Sequence, residues 1–201
     1  MLGLPSTTEV GKRIPKEAFY RNLKLDKKTR DEFVSLIERI TIANSIKPST
    51  ANLRDGRKVH EIIVLSVELK GSEVPHRAIE SIAKGNQHRL VFRIEGIGAT
   101  FVVHGGTHMS DTIERIVLRG EDLDAAWSSI VAQVALGSED GKDVDARIAA
   151  AKRRTELQKE IAALDAKCRK EKQISRRNEL YEKLREKTQE LKELERESAD
   201  L

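Results

Sequence analysis

Apolar residues recur every three or four positions near the start of the chain, which indicates helices there. A short helix is predicted over residues 15–23, and an amphipathic helix over residues 27–45. In the second helix, apolar side chains recur at i, i+3, i+4, i+7 and i+10 from Phe33, which is typical of a helix that faces a core. Asp26 is suited to cap its first turn. Two helices therefore follow an extended, polar lead-in over residues 1–14.

The middle of the chain indicates a sheet. Residues 59–70 are dominated by β-branched and aliphatic residues and predict an interior strand that is apolar on both faces at its centre. Further elements are predicted between turn signals, namely strands at 89–95, 99–104 and 112–118 and helices at 75–84 and 123–136, the last capped by Asp122. Together these elements predict an α+β domain over residues 1–136 with the order ααβαβββα.

The end of the chain has a different character. Residues 137–141 contain two glycines and predict a hinge, whereas residues 142–201 contain no Gly or Pro and are rich in the strongest helix formers. A continuous helix of that length would span ~90 Å, so a small domain cannot bury its apolar stripe. The segment must pair with another chain as a coiled coil or fold back as a helical hairpin. Because no Gly or Pro is present to form a turn, we favour one long, largely continuous helix.

Two apolar seams are predicted within this long helix. Leu157, Ile161, Leu164 and Cys168 step by four, three and four, which is the spacing of a heptad seam. The seam breaks over residues 169–178. A second seam in a shifted register is predicted from Ile174, Tyr181, Leu184 and Leu191, with Arg177 and Thr188 at intervening seam positions. The failing stretch is rich in Arg and Lys, whose side chains either donate to carboxylates or phosphates or are simply solvated. The predicted partner-binding set is Leu157, Ile161, Leu164, Cys168, Lys172, Gln173, Ile174, Arg176, Arg177, Tyr181 and Leu184.

Charge and cysteine content narrow the class of protein. Charged residues make up 35% of the chain and aromatic residues 3%, so the apolar core is thin. The net charge of +4 is unevenly distributed, because residues 152–177 hold 10 Lys and Arg against 4 Asp and Glu, and residues 178–201 hold 5 against 8. A single cysteine excludes an internal disulfide and a multi-cysteine zinc site, and it fits a reducing, cytoplasmic location. No apolar run approaches the ~20 residues of a membrane span, and the N-terminal residues do not resemble a secretion signal, so no membrane partner is expected.

One candidate catalytic set lies on and before the predicted interior strand. Glu68 and Lys70 alternate onto one strand face and Asp55 precedes them, which is the sparse arrangement of PD-(D/E)xK nucleases. That chemistry needs two carboxylates to hold a divalent metal and a lysine to orient or activate water. However, Glu-x-Lys is common by chance, and charged residues at a strand end are ordinarily solvated. A metal-dependent nuclease is therefore the alternative function, and no catalytic residue is assigned in the leading one.

A histidine-containing loop is the other candidate for chemistry. His104 and His108 flank two glycines and lie four residues apart, but no third metal ligand is suggested. The glycines do not fit a phosphate-binding loop, because no Gly-Lys-Ser/Thr follows them and no helix begins there. We therefore expect a polar loop at this point, and neither a metal nor a cofactor in the protein.

Basic residues crowd the N-terminal helices and the segment before them. Residues 1–58 hold 13 Lys and Arg against 7 Asp and Glu. Such a group can bind phosphates without reading sequence. Aromatic residues for stacking bases are almost absent, which disfavours a single-strand platform. The weak nucleic-acid-binding set is Lys12, Arg13, Lys16, Lys27 and Lys28.

Three stretches carry a family resemblance. They are Leu-Pro-x-Thr-Thr-x-Val-x-Lys-x-Ile-Pro-Lys-x-x-Phe-Tyr at residues 4–20, the predicted strand at 60–70, and Glu-Lys-Gln-Ile-Ser-Arg-Arg-Asn-Glu-Leu at residues 171–180. They resemble a bacterial family known by a domain-of-unknown-function label, number 4391, in which an aromatic residue often occupies the position of Ile174. Residues 82–92 depart from the pattern of that family, because they lack its expected proline and carry Gly85 instead.

The resemblance implies an accessory subunit, because members of that family are typically encoded beside helicases and DNA methyltransferases in restriction or phage-defence islands. We therefore expect a non-catalytic adaptor of such a complex, which binds a helicase-like or methyltransferase-like partner through its domain and its coiled coil. Self-association through the coiled coil and direct contact with DNA are further expectations. The alternatives are a metal-dependent nuclease, and a DNA clamp formed by the N-terminal helices and residues 167–177.

Overall fold

The computed structural model describes residues 2–199. The chain divides into two compact units, one ending at Lys142 and the other beginning at Asp143. The first unit contains a mixed sheet with helices, and the second contains a pair of long helices. This architecture confirms the predicted α+β class, with long helices after the sheet domain.

A six-stranded sheet forms the centre of the first unit, and its strands are adjacent in chain order. The strands are β1 Glu9–Ile14, β2 Ile37–Ile46, β3 Ile62–Leu69, β4 Arg89–Ile94, β5 Ala99–Val103 and β6 Thr107–Ser110. Strands β3 and β4 run parallel, whereas all other neighbours run antiparallel. A parallel pair needs a crossover connection, and a helix between β3 and β4 provides it.

Seven α-helices lie within residues 2–199. They are α1 Lys16–Asn22, α2 Lys27–Ser35, α3 Pro48–Ala51, α4 His76–Lys84, α5 Leu123–Leu136, α6 Val144–Lys170 and α7 Ile174–Ala199. Among the described residues, no helix is long and apolar enough to cross a membrane. The predicted cap of α2 is confirmed, since the Asp26 carboxylate accepts a hydrogen bond from the backbone N–H of Thr29 at 2.7 Å.

The register of the sheet places apolar residues in rows on one face. One such row pairs five residues across neighbouring strands, namely Ile14, Ile40, Val67, Ile94 and Ala99. Residues paired in this way point to the same face of the sheet. Helices α2 and α4 cover that face and contribute Phe33, Ala78, Ile79 and Ile82 to the buried cluster.

Helix α5 covers part of the opposite face, where it contacts β5 and β6. Its buried side chains include Trp127, Ile130 and Val131. Asp122 caps its first turn as predicted, by accepting a hydrogen bond from the backbone N–H of Ala125 at 2.9 Å. The helix ends at Gly137, whose φ of +67° lies in the left-handed region that glycine adopts readily. Both ends of α5 are therefore defined by local sequence.

The helix predicted over residues 27–45 is wrong in its second half. Helix α2 ends at Ser35, and β2 begins at Ile37. The sequence of β2 opens with Ile-Glu-Arg-Ile-Thr-Ile, and such β-branched residues favour strands. Its pairing with β3 contains two register irregularities, one of them between Ile37 and Arg39. This irregularity allows Ile37 and Ile40 to be buried together, so the helix-like spacing also fits a bulged strand.

Two further predictions need correction, one of a strand and one of the N-terminal lead-in. The strand expected over residues 112–118 is not formed, and β6 lies earlier because the tight turn at Gly105 and Gly106 pairs it directly with β5. The predicted lead-in contains β1, an edge strand with five of its six residues exposed and therefore no apolar alternation. The observed order in the first unit is β1, α1, α2, β2, α3, β3, α4, β4, β5, β6, α5, in place of ααβαβββα.

The prediction of one continuous long helix is also wrong, because the segment forms two helices, α6 and α7, packed as an antiparallel hairpin. Two ion pairs cross between the helices and fix their direction. Arg153 bonds to Glu190, and the Lys187 ammonium lies 3.3 Å from Glu160. These contacts place the acidic second half of the segment against its basic first half. Hydrogen bonds from Arg153 and Lys187 lower the pKa of Glu190.

The hairpin turns at residues 171–173 without Gly or Pro. Glu171 leaves the helical region with φ −74° and ψ 124°, and its backbone N–H still bonds to the carbonyl of Lys167. Its carboxylate accepts a hydrogen bond from the backbone N–H of Gln173 at 2.9 Å. This bond satisfies the backbone donor of Gln173, the residue just before α7, which has no partner within that helix. One glutamate therefore provides the turn that composition alone did not suggest.

The heptad seam is largely covered within the chain. In α6, Leu157 and Cys168 are buried, and Ile161 and Leu164 are half-buried. The half-buried apolar residues of α7 are Leu180, Leu184, Leu191 and Leu194. The first predicted seam, Leu157 to Cys168, is therefore buried or half-buried in this chain alone. In the second seam, Leu184 and Leu191 are half-buried, whereas Ile174 and Tyr181 are exposed.

Truncation of a buried seam residue tests this arrangement. We expect Leu157→Ala to lower the free energy of unfolding by about 2–4 kcal/mol, because it leaves a cavity at a fully buried position. Ile174→Ala, at an exposed position of the other helix, should change it by less than about 0.5 kcal/mol. Urea unfolding followed by circular dichroism measures both variants. Equal effects of the two substitutions would contradict the observed burial.

Candidate functional site

The residues of the nuclease alternative lie at opposite ends of β3. Asp55 precedes the strand, and its carboxylate lies 3.0 Å from Nδ1 of His60. Glu68 and Lys70 lie at the other end of the strand. Six residues of extended chain between Ile62 and Glu68 correspond to about 20 Å. The structure therefore brings Glu68 and Lys70 to one strand end but does not bring Asp55 to them.

Glu68 and Lys70 have structural partners. The Glu68 carboxylate accepts two hydrogen bonds from Arg39 of the neighbouring strand, at 2.8 and 2.6 Å. These bonds lower the pKa of Glu68 and raise the pKa of Arg39. The Lys70 ammonium donates to the backbone carbonyl of Val34 at 2.8 Å. An Arg-bonded carboxylate and a carbonyl-bonded ammonium are suited to hold β2, β3 and α2 together.

Lys70 caps the C-terminal end of α2 through the Val34 carbonyl, and Lys16 bonds to the chain just beyond that helix. The Lys16 ammonium donates to the carbonyl of Ile37, two residues beyond that helix. Cations at a helix C-terminus satisfy carbonyl groups without helical partners and complement the helix dipole. Burial and the nearby charge of Lys70 lower the pKa of Lys16. Lys16, proposed for phosphate binding, and Lys70, proposed for catalysis, thus both donate to backbone carbonyls in or just beyond the end of α2.

The predicted nucleic-acid-binding residues do not form one group. Arg13 and Lys16 line a cleft of about 480 Å³ with Lys70, but Glu17 and Glu38 also line it and offset the positive charge. Lys12 lies on the exposed edge strand β1. Lys27 and Lys28 are exposed in the first turn of α2.

The histidine loop has structural contacts. The backbone N–H of His104 bonds to the carbonyl of Gly106 at 2.7 Å, and Nε2 of His108 lies 3.0 Å from the His104 carbonyl. Nε1 of Trp127 donates toward Nδ1 of His104 at 3.3 Å, which ties the loop to α5. Over residues 2–199 no three His, Cys, Asp or Glu side chains are arranged to hold a metal ion.

A polar row crosses the sheet on the face that carries α5. Its members are paired across all six strands, namely Arg13, Thr41, Ser66, Arg93, Thr100 and Ser110. The Arg93 guanidinium donates to Thr100 Oγ1 at 3.1 Å and to the Ile113 carbonyl at 2.9 Å. The Ser66 hydroxyl donates to Glu95 at 2.9 Å. Contacts with neighbouring strands and loops therefore account for much of this polarity.

A cavity of about 380 Å³ lies beside this row. Small side chains of β2 and β3, Thr41, Ala43 and Ser66, form part of its lining, and Leu2 and Leu4 add apolar surface. Its charged lining residues are Glu9, Glu68, Arg93 and Glu95. Two of these charged groups already have partners, because Glu68 pairs with Arg39 and Arg93 bonds to the carbonyls of Gly98 and Ile113.

Sequence reasoning missed the anchor at Asp124. Its carboxylate accepts hydrogen bonds from three consecutive backbone N–H groups, those of Arg57, Lys58 and Val59, at 2.7–3.1 Å. Burial raises the pKa of Asp124, but these bonds and the charge of Lys58 outweigh that effect and lower it. No short motif marks the arrangement, because the partners lie more than 60 residues apart in the chain.

The predicted partner-binding residues separate into two groups. Leu157, Ile161, Leu164, Cys168 and Leu184 belong to the covered seam. The exposed members surround the turn of the hairpin, and they are Lys172, Gln173, Ile174, Arg176, Arg177 and Tyr181. We call residues 167–181 the hairpin tip. It is the part of the second unit where exposed apolar side chains and concentrated charge coincide.

The hairpin tip is strongly basic. Residues 167–181 hold six Lys and Arg against two Glu. Arg169 pairs with Asp165 at 2.7 Å within α6, and Glu171 is used in the turn. Ile174 is 66% exposed and Tyr181 is 51% exposed. Chemically, this surface can bury apolar area and donate hydrogen bonds to anionic groups.

Comparison with known proteins gives a family assignment. The model of a family described as "Domain of unknown function (DUF4391)" matches residues 2–103 and 98–191. The chain belongs to this family. No curated protein and no solved structure matches the chain. The predicted resemblance of the chain to the DUF4391 family is thereby confirmed. An association with defence islands stays a prediction.

Asp124 provides a test of how this DUF4391 sheet domain is held together. We expect Asp124→Asn to lower the free energy of unfolding near neutral pH by about 1–2 kcal/mol, because the charged acceptor of three N–H groups is lost. Since the pKa is lowered in the folded state, the ionised carboxylate stabilises the fold above its ordinary pKa of about 3.9. That contribution is lost as the pH falls through the folded-state value. Urea unfolding across this pH range measures it.

The matched control is Asp111→Asn, at an exposed carboxylate. It should leave the stability near neutral pH almost unchanged. In the Asp124→Asn variant the difference from the unsubstituted protein should shrink as the pH falls. A constant difference at every pH would show that ionisation of Asp124 contributes nothing.

Proposed function

We propose that this DUF4391 chain is a non-catalytic, cytoplasmic accessory subunit of a bacterial anti-phage defence or restriction-modification complex. It binds a helicase-like or methyltransferase-like component, and the hairpin tip is the binding surface. The observation that carries this proposal is the exposure of Ile174 and Tyr181 among basic side chains at the end of the hairpin. The family resemblance suggests the class of partner.

Exposure of these apolar residues has a physical cost. Burying apolar surface stabilises a protein by roughly 25 cal/mol per Å², so a large side chain left in water is a source of binding energy for a partner. Tyr and Arg are also the residue types enriched at interface hot spots. Ile174, Arg177 and Tyr181 combine these properties on the first turns of α7. The hairpin tip therefore supports protein binding better than the covered seam does.

The hairpin also changes the expected role of the coiled coil. The sequence alone favoured one continuous helix, and the open seam of such a helix would require a second chain to cover it. In the structure α6 and α7 cover each other, so the seam holds the tip in shape. Self-association through the seam is then unnecessary for stability.

Charge reversal at the tip tests the proposal. We expect the triple variant Lys172→Glu, Arg176→Glu and Arg177→Glu to lose binding to the helicase-like or methyltransferase-like products of neighbouring genes, with at least a tenfold rise in Kd. Three reversed charges replace attraction to an acidic surface by repulsion. The purified full chain and each purified neighbour are mixed, and complex formation is measured by size-exclusion chromatography and calorimetry.

The matched control reverses three basic residues farther along α7, namely Lys183→Glu, Arg185→Glu and Lys192→Glu, all at exposed positions. It changes the net charge by the same amount and should leave binding intact. Circular dichroism checks that both variants keep their helices. If the unsubstituted protein stays a free monomer with every neighbour at micromolar concentration, the proposed function is wrong.

A further inference from the structure

An exposed stripe begins at the N-terminal end of α7. Ile174, Arg177 and Tyr181 lie at i, i+3 and i+7, so they share one face of the helix. All three are exposed, and the two apolar residues are among the most exposed large apolar side chains of residues 2–199. These positions were expected to continue the seam. The structure shows that they do not take part in it.

The stripe is distinct from the covered seam of α7. The seam residues Leu180, Leu184, Leu191 and Leu194 are half-buried, and their mean direction lies about 90° from that of the stripe around the helix axis, at 100° per residue. The distance along the helix from Ile174 to Tyr181 is about 10 Å. The hairpin thus leaves two turns of a second amphipathic face without a partner within the described part of the chain.

The charges around the stripe are unusual for the start of a helix. The first turn of α7 carries no acidic residue and contains Arg176 and Arg177. The positive end of a helix dipole favours carboxylates, so two arginines there are unfavourable in the isolated chain. An acidic surface placed against this turn would compensate both the arginines and the dipole. Departures from local sequence rules are expected at functional or strained sites, which favours a functional role for this turn.

We propose that the Ile174–Arg177–Tyr181 stripe enters an apolar groove with carboxylates on its rim, on the protein partner of the proposed function. This inference rests on that function and adds the mode of binding: a helix lies in a groove, with Ile174 and Tyr181 as anchors and Arg177 between them. A nucleic acid is disfavoured as the occupant. Phosphates would engage the basic residues but would leave Ile174 in water, and an aliphatic side chain cannot stack on bases as aromatic ones do.

Apolar substitution with the charge retained tests the inference. In the full chain, the double variant Ile174→Ser and Tyr181→Ser should raise the Kd for the purified neighbouring component at least thirtyfold, at both low and physiological salt. The control variant Val10→Ser and Met109→Ser removes two exposed apolar side chains from β1 and β6 and should leave the Kd within twofold. A second probe, a 20-base-pair DNA duplex, is titrated in parallel at both salt concentrations.

The possible outcomes separate the two proposals. If the double serine variant binds the component as tightly as the unsubstituted chain while charge reversal abolishes binding, the groove is wrong and the accessory function survives. If the unsubstituted chain binds only the duplex, with an affinity that falls steeply with salt, the occupant is nucleic acid and the groove is again wrong. If it binds no neighbouring component, the accessory function fails and the inference falls with it.

Discussion

The apolar stripes of α6 and α7 have to be covered, because a long helix with an open heptad seam exposes a continuous strip of apolar surface to water. This chain meets that requirement by folding the segment back on itself, with cross-helix pairs such as Arg153 with Glu190 setting its direction. Closure of the seam has a second consequence. The basic turn and the first residues of α7 are brought to one end, where Ile174 and Tyr181 stay exposed. Stability and the proposed recognition therefore depend on one packing arrangement.

Local signals predicted the elements whose ends are set by nearby residues. Helix α5 begins after Asp122 and ends before Gly137 as expected, because a capping carboxylate and a left-handed glycine act within a few positions. Strand β2 was missed because its bulged register buries Ile37 and Ile40 at a spacing that also suits a helix. The hairpin was missed because its turn uses the Glu171 carboxylate in place of Gly or Pro. In these two cases pairing or a single side-chain bond overrode composition.

The candidate site was likewise predicted only in part from local sequence. The break in the seam was visible in the sequence, since apolar spacing fails where basic residues begin. Its division into a covered seam and an exposed tip was not visible, because Ile174 and Tyr181 fit a heptad register equally well. The pairing of Asp55 with His60, and of Glu68 with Arg39, depends on contacts that only the folded chain creates. The spacing of Asp55, Glu68 and Lys70 therefore suggested a nuclease site, but the fold does not bring Asp55 close to the other two residues.

The closed hairpin is the central claim, and a distance across it is the most direct test. Spin labels are attached at Lys152→Cys and Lys192→Cys, both exposed positions, in a Cys168→Ala background. Pulsed electron paramagnetic resonance then measures the distance between the two labels. Helices packed side by side predict a separation on the order of 10–20 Å, including the label linkers. A continuous helix would place the same positions about 60 Å apart, at 1.5 Å per residue. The longer distance would contradict the account, because the seam would then be open and would itself require a partner chain.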